Sequence, residues 1–175
     1  MKIYLTSDTH FGHDKLSEVH GRPEDFGERL LASIKSRQGD LLIHCGDFCI
    51  GEDDRHVKAY MAAAKGFQKK ILIRGNHDKK SDYWYMARGF TFVTEAMLSE
   101  FFGQMLLFTH MPVKRDDGYW SPHFPPTFNI HGHLHGDAHR KLAMDESLYD
   151  RAYHYDLAPE IHDYKIVDLE SLFNR

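Results

Sequence analysis

The feature that most constrains this chain is a repeating unit in which a strand-sized apolar run ends in a cluster of small, polar and metal-ligating residues. Residues 3–6 lead into Ser7-Asp8-Thr9-His10, 41–44 into Gly46-Asp47, 71–74 into Gly75-Asn76-His77-Asp78, 105–109 into His110, and 127–130 into Gly132-His133-Leu134-His135. Runs of four or five apolar residues bounded by turn formers fit buried strands, and the flanking glycines favour strand over buried helix. Between the first two runs Phe26, Leu30, Leu31 and Ile34 share one face at helical spacing, with Pro23-Glu24-Asp25 as a first turn. Between the second and third, Val57, Tyr60, Met61 and Ala64 repeat the pattern, with Asp53 or Asp54 as N-cap and Gly66 as the stop.

The order strand, helix, strand, helix, strand predicts an α/β domain with right-handed crossovers. Its polar clusters then lie at the carboxyl ends of strands, where such sheets bind ligands. The later half carries strand-like runs at 90–93, 105–108, 127–130, 152–157 and 164–169, so a mixed or second sheet is expected there. The 175 residues contain no repeat and no Gly/Ser-rich linker, which predicts one domain over 1–175. Lys and Arg number 22 against 26 Asp and Glu, a balance of −4 that argues against blanketing nucleic acid or anionic membrane with positive charge. No apolar stretch approaches a membrane span and the first residues carry no leader pattern, so the expected compartment is the cytoplasm.

Asp8 and His10 are two apart, a spacing that at a strand end sends a carboxylate and an imidazole to one side, where both can grip one cation. Asp47, Asn76, His110, His133 and His135 also follow strand-like runs, and all are metal-ligand types. Seven such groups are too many for one ion and suit two sharing a bridging carboxylate. Asp47, alone in its loop behind a glycine, is the natural bridge. Two divalent cations set against two carboxylates and a bridging hydroxide leave a small positive charge, which suits a phosphate ester. With imidazole and carboxylate donors and no evident thiolate, Mn, Fe, Zn, Co or Ni all fit and Ca or Mg alone fits less well; two divalent ions are expected, with Mn as the working choice.

The ordered set Asp8-x-His10, Gly46-Asp47, Gly75-Asn76-His77-Asp78, His110 and Gly132-His133-x-His135 resembles the calcineurin-like metallophosphoesterase superfamily. The string from Thr6 to His13, the later Gly21-Arg22-Pro23 and the length resemble its small prokaryotic and phage-type members. The resemblance implies a layered fold of two packed β-sheets flanked by helices. It further implies a first metal held by Asp8, His10, Asp47 and His135, and a second held by Asp47, Asn76, His110 and His133. By the same resemblance His77 stays uncoordinated and either protonates the leaving oxygen or stabilises phosphoryl charge, with Asp78 orienting its ring. The loop Gly46-Asp47-Phe48-Cys49-Ile50 lacks the arginine of the protein Ser/Thr phosphatases, so a phosphoprotein substrate is not implied.

The expected activity is therefore hydrolysis of a phosphate mono- or diester by metal-bridging hydroxide, on a small nucleotide-like substrate rather than long nucleic acid. The alternative is a protein that keeps this fold as a binding scaffold without catalysis. His13 is read as reaching the substrate or the metal ligands, or else as a helix-start residue. In the long segment 114–126, Arg115 could hold a further phosphate and Trp120 could stack a base, against a self-packed surface loop. His131 is expected to alternate away from the metal side, and His20, His44, His56, His123, His139, His154 and His162 to be structural or exposed. Cys45 and Cys49 read as two buried thiols, and Tyr83-Trp84-Tyr85 as helix packing.

Overall fold

The computed structural model describes residues 1–13, 15–114, 125–136 and 152–173. A five-stranded sheet is built from β1 (Ile3–Thr6), β2 (Gly39–His44), β3 (Phe67–Ile73), β4 (Phe92–Thr94) and β9 (Val167–Asp168), in the order β4-β3-β2-β1-β9. Its first four strands run parallel, and β9 closes the far edge antiparallel to β1. A four-stranded sheet follows the order β5-β6-β7-β8, from β5 (Ala96–Phe101), β6 (Gln104–Thr109), β7 (Phe128–His131) and β8 (His154–Asp156). Here β5 and β6 form an antiparallel hairpin while β6, β7 and β8 run parallel.

Alternation along the central strands explains how the layers stack. Ile3, Leu5, Leu41, Ile43 and Ile73 point one way and meet Leu106 and Phe108 of β6 and Ile130 of β7, forming the core between the sheets. Tyr4, Leu42 and Leu72 point the other way. They are covered by Phe26, Leu30 and Ile34 of α2 (Phe26–Lys35) and by Val57 and Tyr60 of α3 (Asp53–Ala63). Two short helices, α1 (Leu16–His20) and α4 (Asp82–Met86), complete the α-helices among the described residues. The result is two packed sheets with flanking helices. Among the described residues no helix is long and apolar enough to cross a membrane.

The differences from the sequence reading have local causes. Strand β5 was not anticipated because it is an edge strand with no fully buried side chain, and Ser99 and Glu100 interrupt its apolar run. The N-cap position of helix α3 is Glu52, in a left-handed conformation and without a side-chain capping bond, not Asp53 or Asp54. Those two carboxylates sit in the first turn, where the helix dipole favours them, and pair with Lys80 at 3.4 Å and Arg88 at 2.6 Å. The run 164–169 supplies only two strand residues, because the chain turns into a 3-10 segment at Leu169–Leu172. Of the aromatic triplet, Tyr85 is buried in the core whereas Tyr83 is exposed.

Candidate metal centre

Five strands end on the same rim and each hands one loop to it. The loops after β1 and β2 remain tied beyond the strands, with Asp8 N donating to Gly46 O at 2.9 Å and His10 N to Asp47 O at 3.0 Å. Asp8 and His10 do not project together by strand alternation as expected, since β1 ends at Thr6. Asp8, His10, Asp47, His133 and His135 all adopt left-handed backbone, with φ of 48°, 42°, 55°, 71° and 52°. Asp and His tolerate this region better than most side chains, and backbone held there at a cost of about 1–3 kcal/mol per residue clusters at functional sites.

The side chains gather into two groups, Asp8 with His10 and His135, and Asp47 with His110 and His133, in each of which candidate ligand atoms lie within 4.8 Å of one another. Asn76 joins the second group, its Oδ1 3.1 Å from His110 Nε2. Asp47 Oδ2 stands 3.5 Å from His10 Nε2 and 3.3 Å from His110 Nε2, so one carboxylate oxygen faces both groups. The seven residues expected to bind metal therefore converge on one rim.

Surrounding groups hold these donors in place. Asp8 Oδ2 is 2.6 Å from Ser7 Oγ, and both of its oxygens accept from His133 N at 3.0 Å. His77 N donates to Asp47 Oδ1 at 2.8 Å, which leaves Oδ2 for the centre. His110 Nδ1 donates to Cys45 O at 2.9 Å, which fixes the ring with Nε2 turned toward Asp47 and Asn76. Asp78 differs from the sequence reading. Its Oδ2 accepts from Gly75 N and Asp47 N, and its Oδ1 from Phe48 N, at 2.8, 2.9 and 3.0 Å. These three amides, not the His77 ring, occupy the carboxylate, which clamps two ligand loops together.

The donor chemistry fits divalent cations. His10 is buried, and among the described residues neither ring nitrogen has a hydrogen-bond partner. Burial drives its pKa down to about 2, against the attraction of Asp47, so the ring is a neutral donor aimed among carboxylates. Burial lifts Asp8 to about 6. Burial also opposes charge on Asp47 and His110, yet their mutual hydrogen bond and attraction win, holding Asp47 below the usual carboxylate range and raising His110 to about 9. A proton shared by Asp47 and His110 is what a metal ion would displace.

His77 lies at the solvent edge, its side chain 46% exposed and its Nε2 3.9 Å from Asp47 Oδ2. The half-buried His13 ring is 5.9 Å from that of His10. Beside Asn76 and His110 opens a cleft of about 330 Å³ that is also lined by Arg74, Met111 and Val113. Arg115 and Trp120 fall outside the described residues, as do His123 and His139. His131 is buried in β7 and packs on His154.

Several contributors had no site role assigned from the sequence, Arg22 among them although Gly21-Arg22-Pro23 was part of the resemblance. His44 accepts from Gly46 N through Nδ1 and bonds Thr9 Oγ1 through Nε2 at 2.9 Å, propping the Asp47 turn. Arg22 and Glu160, 138 positions apart, meet at 2.8 Å behind His135, and the His20 ring stacks on His135 at 4.5 Å. No periodicity links residues so distant.

Two expected results follow from this packing. A Cβ at Gly75 would collide with the Asp47 carboxylate and backbone nitrogen, so Gly75→Ala should cost ~1–3 kcal/mol of stability and weaken metal binding, read by thermal unfolding and metal titration. The second concerns pH. Burial holds His44 near 3 and His10 near 2, so the unfolded chain takes up protons that the folded one refuses. The stability they contribute is complete above about pH 6.5 and is lost as pH falls below it. Asp8, raised by burial, acts oppositely but with a smaller displacement, and His110 acts only between about 6.5 and 9. In chelator-treated protein the melting temperature should fall from pH 6.5 to 4; a rise over that interval would refute this reading of the two rings.

A family model for calcineurin-like phosphoesterases matches residues 1–168. An uncharacterized protein of Methanocaldococcus jannaschii is 25% identical over 178 residues, covering 97% of this chain and 88% of that protein. A protein of unknown function from Aquifex aeolicus has a similar structure, with TM-score 0.74 and 23% identity over 99% of this chain and 98% of that one. Nuclease MPE of Pseudomonas putida is similar over 76% of this chain and 61% of its own, with TM-score 0.50 and 24% identity. Both likenesses are of fold. The family match runs through all five ligand-bearing loops, and by it the chain belongs to the calcineurin-like phosphoesterase family.

Proposed function

We propose that this chain is a phosphoesterase that works with two divalent cations and hydrolyses a phosphate mono- or diester, within a single domain over 1–175. Asp8, His10, Asp47 and His135 would hold one ion, and Asp47, Asn76, His110 and His133 the other. The observation that carries the reading is the position of Asp47 Oδ2, which faces His10 Nε2 from one side and His110 Nε2 from the other at 3.5 and 3.3 Å. Bound there, the cations would supply activation of water near neutral pH and neutralisation of phosphoryl charge.

The chain's own residues supply the rest. Asp78 holds the Asp47 and Asn76 loops at a fixed separation through three amides. His77, anchored by its backbone to Asp47 yet open to solvent, can deliver a proton from Nε2 to the leaving oxygen. The cleft beside Asn76 and His110, with Arg74 on one wall and Met111 and Val113 on another, suits the leaving group of a small, nucleotide-like ester. The mixed imidazole and carboxylate donor set fits Mn, and Fe, Zn, Co or Ni as well. Cys45 and Cys49 are buried free thiols, which agrees with a reducing compartment such as the cytoplasm.

The test is turnover of a chromogenic phosphate mono- and diester with added Mn, alongside metal titration of chelator-stripped protein. Two bound ions with hydrolysis of either ester support the reading. Two bound ions without turnover across nucleotides and small esters would replace it with a scaffold role, and failure to bind metal would remove it.

A further inference from the structure

His135 meets two partners that make opposite demands on one nitrogen. Its Nδ1 is 3.0 Å from Glu160 Oε1 and 3.1 Å from Arg22 Nη2. A carboxylate only accepts and a guanidinium only donates, so Nδ1 either carries its hydrogen toward Glu160 or offers a lone pair to Arg22. The choice decides the state of the other nitrogen. Nε2 faces the first ligand group, 3.9 Å from Asp8 Oδ1, and can hold a cation only when the hydrogen is on Nδ1.

Resting on the two-metal reading above, we propose that Glu160 is a positioning residue that keeps His135 in the Nδ1–H tautomer, so that Nε2 presents its lone pair to the first metal site. The surroundings are built for this. Arg22 is fully buried, lies over the Phe26 ring at 5.0 Å, and donates its Nε to Glu160 Oε1 at 2.8 Å, fixing the very oxygen that faces His135. The stacked His20 ring lies nearly parallel to His135, 13° between planes, and limits rotation of the imidazole. A carboxylate behind a ligating histidine is the arrangement that orients the ring and raises its basicity. If Glu160 were absent, Arg22 would remain as the partner of Nδ1, and its hydrogen bond would select the tautomer that cannot ligate.

Glu160 Oε2 has no hydrogen-bond partner among the described residues, so a glutamine can place its amide nitrogen there while its oxygen keeps both contacts. This makes Glu160→Gln the conservative variant and Glu160→Ala the disruptive one. Full-length, chelator-stripped proteins would be titrated with Mn, and the tautomer of His135 in the metal-free state read from long-range proton–nitrogen NMR correlations. Glu160→Ala should weaken one of two binding events by ~10–100-fold, the range for losing such a partner. The other event should be unchanged and the His135 hydrogen should move to Nε2. Glu160→Gln should restore both readouts to within a few-fold of the parent.

The proposal is overturned if folded Glu160→Ala binds both ions as the parent does, if both events weaken equally, or if parent His135 carries its hydrogen on Nε2. The last readout stands even if Glu160→Ala does not fold. A parent that binds no metal overturns the two-metal reading instead, a result distinct from unaltered binding in the variant.

Discussion

Replacing Asp47 with Asn is expected to weaken both metal-binding events together and to abolish turnover. The substitution changes almost nothing in shape. The asparagine oxygen can still accept from His77 N, and the backbone stays fixed because Asp47 N donates to Asp78 and Asp47 O accepts from His10 N. What changes is the second atom, where a neutral donor replaces the anionic oxygen that faces His10 Nε2 and His110 Nε2. The loss in affinity at each site should exceed the ~10–100-fold that follows removal of an outer partner, because here the shared ligand itself is altered. Metal titration of the stripped variant, with circular dichroism as a control for folding, checks this. Retention of one site at parental affinity would show that Asp47 serves a single ion.

His77→Ala should separate chemistry from binding. Its turnover should fall by about 10²–10⁴-fold, the usual contribution of a general acid, with metal content intact. The separation follows from geometry, since the His77 contribution to the ligand framework is its backbone N–H on Asp47 Oδ1, which alanine keeps, while the ring is half open to solvent. The loss should shrink for an ester with a very acidic leaving group, which needs no proton. Equal losses for good and poor leaving groups would instead make the ring a stabiliser of phosphoryl charge. Substantial loss of metal would place His77 among the ligands and refute the assignment.

The central strands were legible because burial on both faces demands continuous apolar runs, which show in the sequence at residues 3–6, 41–44 and 71–74. Helix α2 was legible for the matching reason, one apolar face at helical spacing. Strand β5 was not, because a half-exposed edge has no such requirement. The role of Asp78 was also hidden. Its adjacency to His77 suggested a side-chain pair, but neighbours in a tight turn diverge, and the buried carboxylate is claimed by amides of two loops.

The sequence by itself determined which residue types end each apolar run, and hence that the parallel strands would deliver ligand-type side chains to one rim. That follows from composition and order, because a parallel sheet puts all its carboxyl ends on one side. Only the tertiary structure decided how the rim is divided. The partition into Asp8, His10 and His135 against Asp47, His110 and His133 depends on left-handed turns at five of these residues and on the approach of the second sheet to the first. Likewise only folding brings Arg22 and Glu160 behind His135, since contacts between groups 138 positions apart are set by packing of layers and leave no local pattern.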